Sequence, residues 1–466
     1  MTDNQKFTPG YWANGDQDLF LNFKVRYYPV SDVTGPDFLH NYCLSKGDSD
    51  PNSPPPTHQI EIVERGCELP HIMTMFDHSL TGRPDAEQTT QRYLRDFIDN
   101  PQAILLVSNF TEPLNKNLTA IMNTLVEAMD QDDLVNRLIL TVPDSEVQFL
   151  VTDMLYANYG IDRKDLRIYQ YSGHLMNFFQ ISKTNSEPKT PWQQPRRIGM
   201  LNGQHKPWRA YITYKLWEHM FIDKMQYSYW NKWGYSSATD IDADMFIADV
   251  LSTYTADPNG HQLNEEAFRD YLTHNMPLMA GLENRVYHND TITASERTDG
   301  EFPECLLESP IHIVPETLFD VRMGLDHFNH WAYEYQGLTE TAFITEKTYR
   351  SIASGAAIIP LGLPGTIKKL HNLGFKTFNR WWDEEALERL STDPGNLINN
   401  TVARTKALTE IVGKIFHMND LEFKHLMNEM KPTIDHNTRH LKKLQNIQND
   451  NRLEIINNLY QWHYNE

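Results

Sequence analysis

The sequence predicts an α/β protein: two Rossmann-like domains facing a cleft, followed by a helical C-terminal extension. Three observations predict it. From about residue 60, short apolar runs alternate with stretches of helical pattern, the order of βαβ units around a parallel sheet. At 466 residues the chain is longer than one ordinary core requires. After residue 396, Leu, Ile and Met recur at three- and four-residue spacing, so the chain there is helical and packs on something. These give an N-terminal irregular segment at 1–60, a first α/β domain at 60–185, a second at 196–395 and C-terminal helices at 396–466.

Taken in order, the first sixty residues are aromatic-rich and then rich in Pro and Ser. The strand candidates that follow are Ile60 to Val63, His71 to Phe76 and Ala103 to Ser108. A helix is expected from Asn115 to Met129, a strand at 137–142, a helix from Glu146 to Tyr159 stopped by Gly160, and a strand at 166–170. The Pro-rich polar stretch 183–195 reads as a linker. Arg196 to Gly203 then forms a strand running into a loop, with a helix through Met220. That places Asn202, Lys206 and Arg209 at a strand's C-terminal end, where open α/β sheets bind ligands. Lys224 to Trp233 is strand-like, Asp240 to Thr273 acidic and helical, and Ser309 to Asp320 a strand leading into Glu316. Two long helical patterns, from Leu397 to Phe416 and Asp420 to Asn446, complete the chain.

The stretch from Ala342 to Trp382 carries the chemistry. Thr345 can cap a helix beginning at Glu346, because its hydroxyl accepts from a backbone N–H otherwise orphaned in the first turn. Lys347 and Arg350 lie three apart near the positive end of that helix, where a phosphate would meet two cations and free N–H groups. The helix stops at Gly355, and a buried strand, Ala356 to Gly362, leads through Leu363-Pro364-Gly365 into a short helix, Thr366 to Leu373. By pattern alone the same residues also suit a structural role, a capped helix with a solvated Glu346–Lys347 pair.

Composition narrows the function. Hydrophobic content of 40% excludes a mainly disordered chain, no run approaches the ~18 apolar residues of a membrane span, and the first residues do not read as a signal peptide. Cys43, Cys67 and Cys305 are too few and too scattered for a disulfide framework or a zinc site, which fits a reducing cytoplasm. The net charge of −20 disfavours nucleic acid, yet it is uneven. Residues 189–215 hold six Lys or Arg and no acid, and 341–382 hold six against only Glu346. Two basic islands in an acidic chain suggest one convergent anion site.

The segment from Thr345 to Gly362 resembles the donor-binding motif of the α1,3-fucosyltransferases, a Thr-Glu-Lys opening a helix that leads into an apolar strand ending in Leu-Gly. With Pro364 to Thr366 and Leu373 to Phe378 it is more similar still to a viral and phage-type group assigned to glycosyltransferases, which also carries an Asn followed by basic residues where Asn202, Lys206 and Arg209 stand. Only about a tenth of the chain is closely covered. The resemblance implies a GT-B-like transferase of a nucleoside diphosphate sugar, GDP or UDP, metal-independent and inverting, with no cofactor beyond that donor. Lys347, with Arg209, Lys206 and the helix N-terminus, would stabilise the leaving diphosphate, and Glu346 or Glu316 would take the ribose hydroxyls. About thirty residues separate Glu316 from Glu346, more than the fucosyltransferases use. Arg350 would assist or pack. The first domain would supply the acceptor site, and among Glu64, Glu68, His71, Asp77 and His78 the pair Asp77 and His78 is the candidate catalytic base. The acceptor would be a modified DNA base, a glycan or a protein, and the compartment the cytoplasm, the host's if the chain is viral. Asp240, Asp242 and Asp244 form overlapping Asp-x-Asp pairs, but at a helix start they have the bland role of meeting the dipole, so no metal is expected. The rival reading is a nucleotide-binding or assembly protein without chemistry, docking a partner through its C-terminal helices.

Overall fold

The computed structural model describes residues 24–27, 59–60 and 71–76, and 91–172 apart from 92, 93, 96, 102 and 109–115. It further describes 175, 196–229 apart from 203–206, 248, 250–251, 263–275, 278–279, 309–316, 319, 342–389 apart from 343, and 397–464.

Six strands form the first sheet: β1 (Lys24–Tyr27), β2 (Gln59–Ile60), β3 (His71–Phe76), β4 (Ala103–Ser108), β5 (Leu138–Val142) and β6 (Arg167–Gln170), in the order β2-β1-β3-β4-β5-β6. All neighbours are parallel except β2, which runs antiparallel to β1. The segment 1–60, expected to be irregular, therefore contributes two strands. Helices α1 (Lys116–Ala128), α2 (Gln131–Arg137) and α3 (Ser145–Tyr159) accompany them. Every residue of β5 is buried, as a parallel strand covered on both faces requires. Asp144 caps α3 by accepting from the amides of Glu146 and Val147, and Gly160 ends it at φ 69°, where a Cβ would be strained.

The second sheet has β7 (Ile198–Asn202), β8 (Gln226–Tyr229), β9 (Leu278–Met279), β10 (Ile311–Pro315) and β11 (Ala357–Leu361), in the order β11-β10-β7-β8-β9. Only β9 is antiparallel to its neighbour. Pro360 lies inside β11 and is tolerated because that strand is at the edge, where one missing N–H breaks no ladder. Helices α4 (Pro207–Glu218), α5 (Glu265–Asn275), α6 (Glu346–Ala353), α7 (Thr366–Asn372) and α8 (Glu384–Glu388) belong to this half. Each sheet has its own buried cluster, around Leu105, Leu138 and Leu155 in the first and Ile198, Trp208, Ile313 and Ile359 in the second.

Two long helices follow, α9 (Leu397–His417) and α10 (Asp420–Tyr464). The pattern predicts that the last one stops near Asn446; it continues to Tyr464, and Gln448 and Asn451 beyond that point serve as contacts. In its first half the Nε2–H of His440 donates to the carbonyl of Leu373 (2.7 Å), and Asn437 both accepts from the amide of Lys376 and donates to its carbonyl. In its second half Gln445 donates to Leu175, Gln448 accepts from the amide of Ser172, and Asn451 donates to Gln170. One helix thus holds backbone of both halves. Among the described residues no helix is long and apolar enough to cross a membrane.

Candidate active-site crevice

The strand order of the second sheet locates a crevice. From β7 the chain crosses through α4 to β8 on one side, whereas β10 lies on the other side of β7 and passes through α6 to β11. Crossovers leaving neighbouring strands in opposite directions open a gap at their carboxyl ends, the usual ligand position in such sheets. Among the described strands of the first sheet the parallel order is sequential, and no such point arises. At the gap stand Asn202, the last residue of β7, and Glu316, the first after β10.

Glu316 is fully buried, and both its carboxylate oxygens are engaged. One accepts from the amide of Thr345 (3.1 Å) and the hydroxyl of Thr348 (2.5 Å); the other accepts from the hydroxyl of Thr345 (2.5 Å). The expected ribose ligand is therefore closed off from any ligand in this conformation. Thr345 caps α6 as the sequence predicts, its oxygen accepting from the amide of Lys347. In a capping box the residue three beyond the cap reaches back to the cap's own amide. Here that residue is Thr348, too short, and Glu316 performs the task from the end of β10.

Arg209 is also interior. Its guanidinium donates to the carbonyls of Glu316 (2.7 Å) and Pro315 (3.1 Å), so this expected phosphate ligand ties α4 to the end of β10. Behind it Trp208 stacks on Phe319 at 4.6 Å, with Arg404 on the same Phe319 ring at 3.8 Å. Arg404 donates to the carbonyls of Phe319, Gly362 and Leu387, joining the chain after β10 and after β11 to α8. Sequence reasoning missed it, because one Arg in a helical pattern carries no signal of what it reaches.

Lys347 and Glu346 remain in reach of solvent, with side chains 26% and 23% exposed. The Lys347 ammonium lies 2.7 Å from Glu346 and 3.2 Å from the Thr345 hydroxyl, held over the first turn of α6. Arg350 is partly buried one turn on. Asn202 is buried at the crevice floor, 2% exposed. Lys206, Asp77, His78, Glu64, Glu68 and the Asp240 to Asp244 stretch lie outside the described residues, whereas His71 is the first residue of β3.

Among the described residues the cations of the basic islands do not converge on one point. Arg196 donates to the carbonyl of Asp223, Arg197 to those of Ile415 and Met418 at the α9–α10 corner, and Lys215 pairs with Glu218. Arg380 sits over Trp381. Lys369, 4% exposed, pairs with Asp144 (2.9 Å) and Glu146 (2.8 Å) at the start of α3, joining the two halves. Burial, helped by the negative charges of Asp144 and Glu316, pushes the pKa of the Tyr349 phenol far up, so it stays a neutral hydroxyl. Among the described residues the crevice presents a cation and a carboxylate, each about a quarter exposed, at a helix N-terminus over a floor of buried polar groups. Such an arrangement can neutralise an anion and orient a hydroxyl.

Scans against protein-family models, curated proteins and solved structures find no match to this chain.

Proposed function

We propose that the protein is a glycosyltransferase of GT-B-like, two-domain design, moving a sugar from a nucleoside diphosphate sugar (GDP or UDP) to an acceptor hydroxyl without a metal and with inversion. The observation that carries the reading is the crevice between β7 and β10, with Lys347 and the N-terminus of α6 at its mouth. The resemblance of Thr345 to Gly362 to the fucosyltransferase donor motif supports it. Cleaving the sugar–phosphate bond leaves new negative charge on the diphosphate, and a preset ammonium beside a helix N-terminus stabilises such charge. Glu346, beside Lys347 and 23% exposed, would take the ribose hydroxyls in place of the enclosed Glu316. Asp77 and His78, which follow β3 in sequence, stay the candidates for the base. The acceptor class is a modified DNA base, a glycan or a protein.

A second reading, nucleotide binding without chemistry, is favoured by one observation: Arg209, expected to help Lys347, instead holds the carbonyls of Pro315 and Glu316. A thermal-shift screen of nucleoside diphosphate sugars followed by a turnover assay tests both. Saturation at ~100 times the dissociation constant stabilises the fold by roughly 2.7 kcal/mol. Release of nucleoside diphosphate supports the enzyme and binding without release supports the module. If no nucleotide stabilises the protein, both fail.

A further inference from the structure

The proton on the Thr345 hydroxyl points to a role for Glu316. That hydroxyl has a single proton and two lone pairs. It gives the proton to Glu316, so its lone pairs are turned toward the amide and the ammonium of Lys347, at 3.3 and 3.2 Å. Glu316 is itself held from both sides. Its carboxylate takes three donors from Thr345 and Thr348, while its carbonyl accepts from Arg209. A carboxylate enclosed at this depth is expensive, and a core position needing only to be filled would be apolar. We propose that Glu316 is a positioning residue: acting through the Thr345 hydroxyl, and alongside the Glu346 carboxylate 2.7 Å from the same nitrogen, it helps to fix the Lys347 ammonium at the mouth of the crevice. Its consequence for donor binding rests on the function proposed above; the positioning does not.

Glu316→Gln tests it with almost no change of shape. The amide NH2 then faces the Thr345 oxygen as a donor, the hydroxyl turns, and the Lys347 ammonium loses an acceptor. Trace acetylation of the full chain, read by mass spectrometry, should label Lys347 about 2–10 times faster in the variant, the range one ordinary hydrogen bond allows. Lys369, buried between the halves, should stay protected and so reports that the fold is intact. Unchanged Lys347 labelling with Lys369 protected overturns the proposal. If Glu316→Gln exposes Lys369, the pair Thr345→Ser and Thr345→Val decides: the serine variant should label like the parent and the valine variant faster, and equal rates overturn the proposal. With GDP and UDP as probes, Glu316→Gln should weaken binding in the parent and add nothing in a Lys347→Ala background. A loss undiminished in that background refutes action through Lys347. If the parent binds neither nucleotide, the donor reading fails, and the labelling ratio still decides the positioning.

Discussion

Replacing Lys369 by methionine removes one charge from between the two halves and leaves a side chain of similar length. Asp144 and Glu146 then lose their shared cation, but unequally. The Glu146 side chain is 45% exposed and regains water, whereas that of Asp144 is 11% exposed and keeps only the amides of Glu146 and Val147. Breaking a buried pair by deleting one partner costs about 3–5 kcal/mol. Only one carboxylate is stranded here and it retains two donors, so the lower end applies, about 3 kcal/mol. At ~2–4 °C per kcal/mol for domains of this size, Tm should fall by about 6–12 °C. Asp144→Asn keeps the cap and leaves Lys369 with Glu146, so it should cost about 1 kcal/mol. In the double variant the neutral Asn needs no cation, and the losses should sum to at least ~1 kcal/mol less than the single changes predict. Urea denaturation of the four proteins measures this. Additive losses, or a Lys369→Met protein within ~0.5 kcal/mol of the parent as for a surface pair, would refute the reasoning.

Lys347→Ala should fold normally and lose about 1.5–3 kcal/mol of nucleotide affinity, one charge-assisted contact, measured by calorimetry. Arg209→Ala should instead destabilise the protein by a few kcal/mol in urea, since the carbonyls of Pro315 and Glu316 lose their donor. Burial of Glu384 pushes its pKa up to about 7 against the pull of the Phe378 amide. The folded state therefore holds this proton more tightly than the unfolded chain, and the group's contribution is full below about 4.5 and lost as pH rises through about 7. Glu384→Gln should flatten that part of the stability–pH curve, a change of about 2–3 kcal/mol seen by denaturation at pH 5 and 8. Transfer should persist in excess chelator; abolition by chelation and by Asp242→Asn would place the diphosphate on a metal instead of at α6.

What was legible in the sequence is local. The hydroxyl of Thr345, the stop at Gly355 and the apolar run after it define α6 and β11 from neighbours a few residues away, and the structure has them there. β4, β5 and α3 were legible for the same reason. β1 was not: Lys24 to Tyr27 is four residues of mixed polarity, and pairing with β2 and β3 makes it a strand. The basic islands misled because charge density along the chain says nothing of direction. Arg197 reaches an acid 223 residues away and Arg209 carbonyls more than 100 away. Glu316 was noticed for its place before α6, but its role depends on Thr345 and Thr348, 29 and 32 residues on. No periodicity encodes that distance.

The reach of α10 sets a clock on assembly. Ser172 and the Gln448 that accepts from its amide are 276 residues apart. At ~5–20 residues per second a ribosome needs roughly 15–55 s to make the intervening chain. Throughout that interval the first sheet has the residues of its own core but not its strut, and the amide of Ser172 lacks the partner it has in the finished fold. Loop closure over such a distance also slows refolding of the full-length chain relative to formation of either sheet. The half made early must therefore hold its shape unaided for many seconds before the helix that fastens it exists.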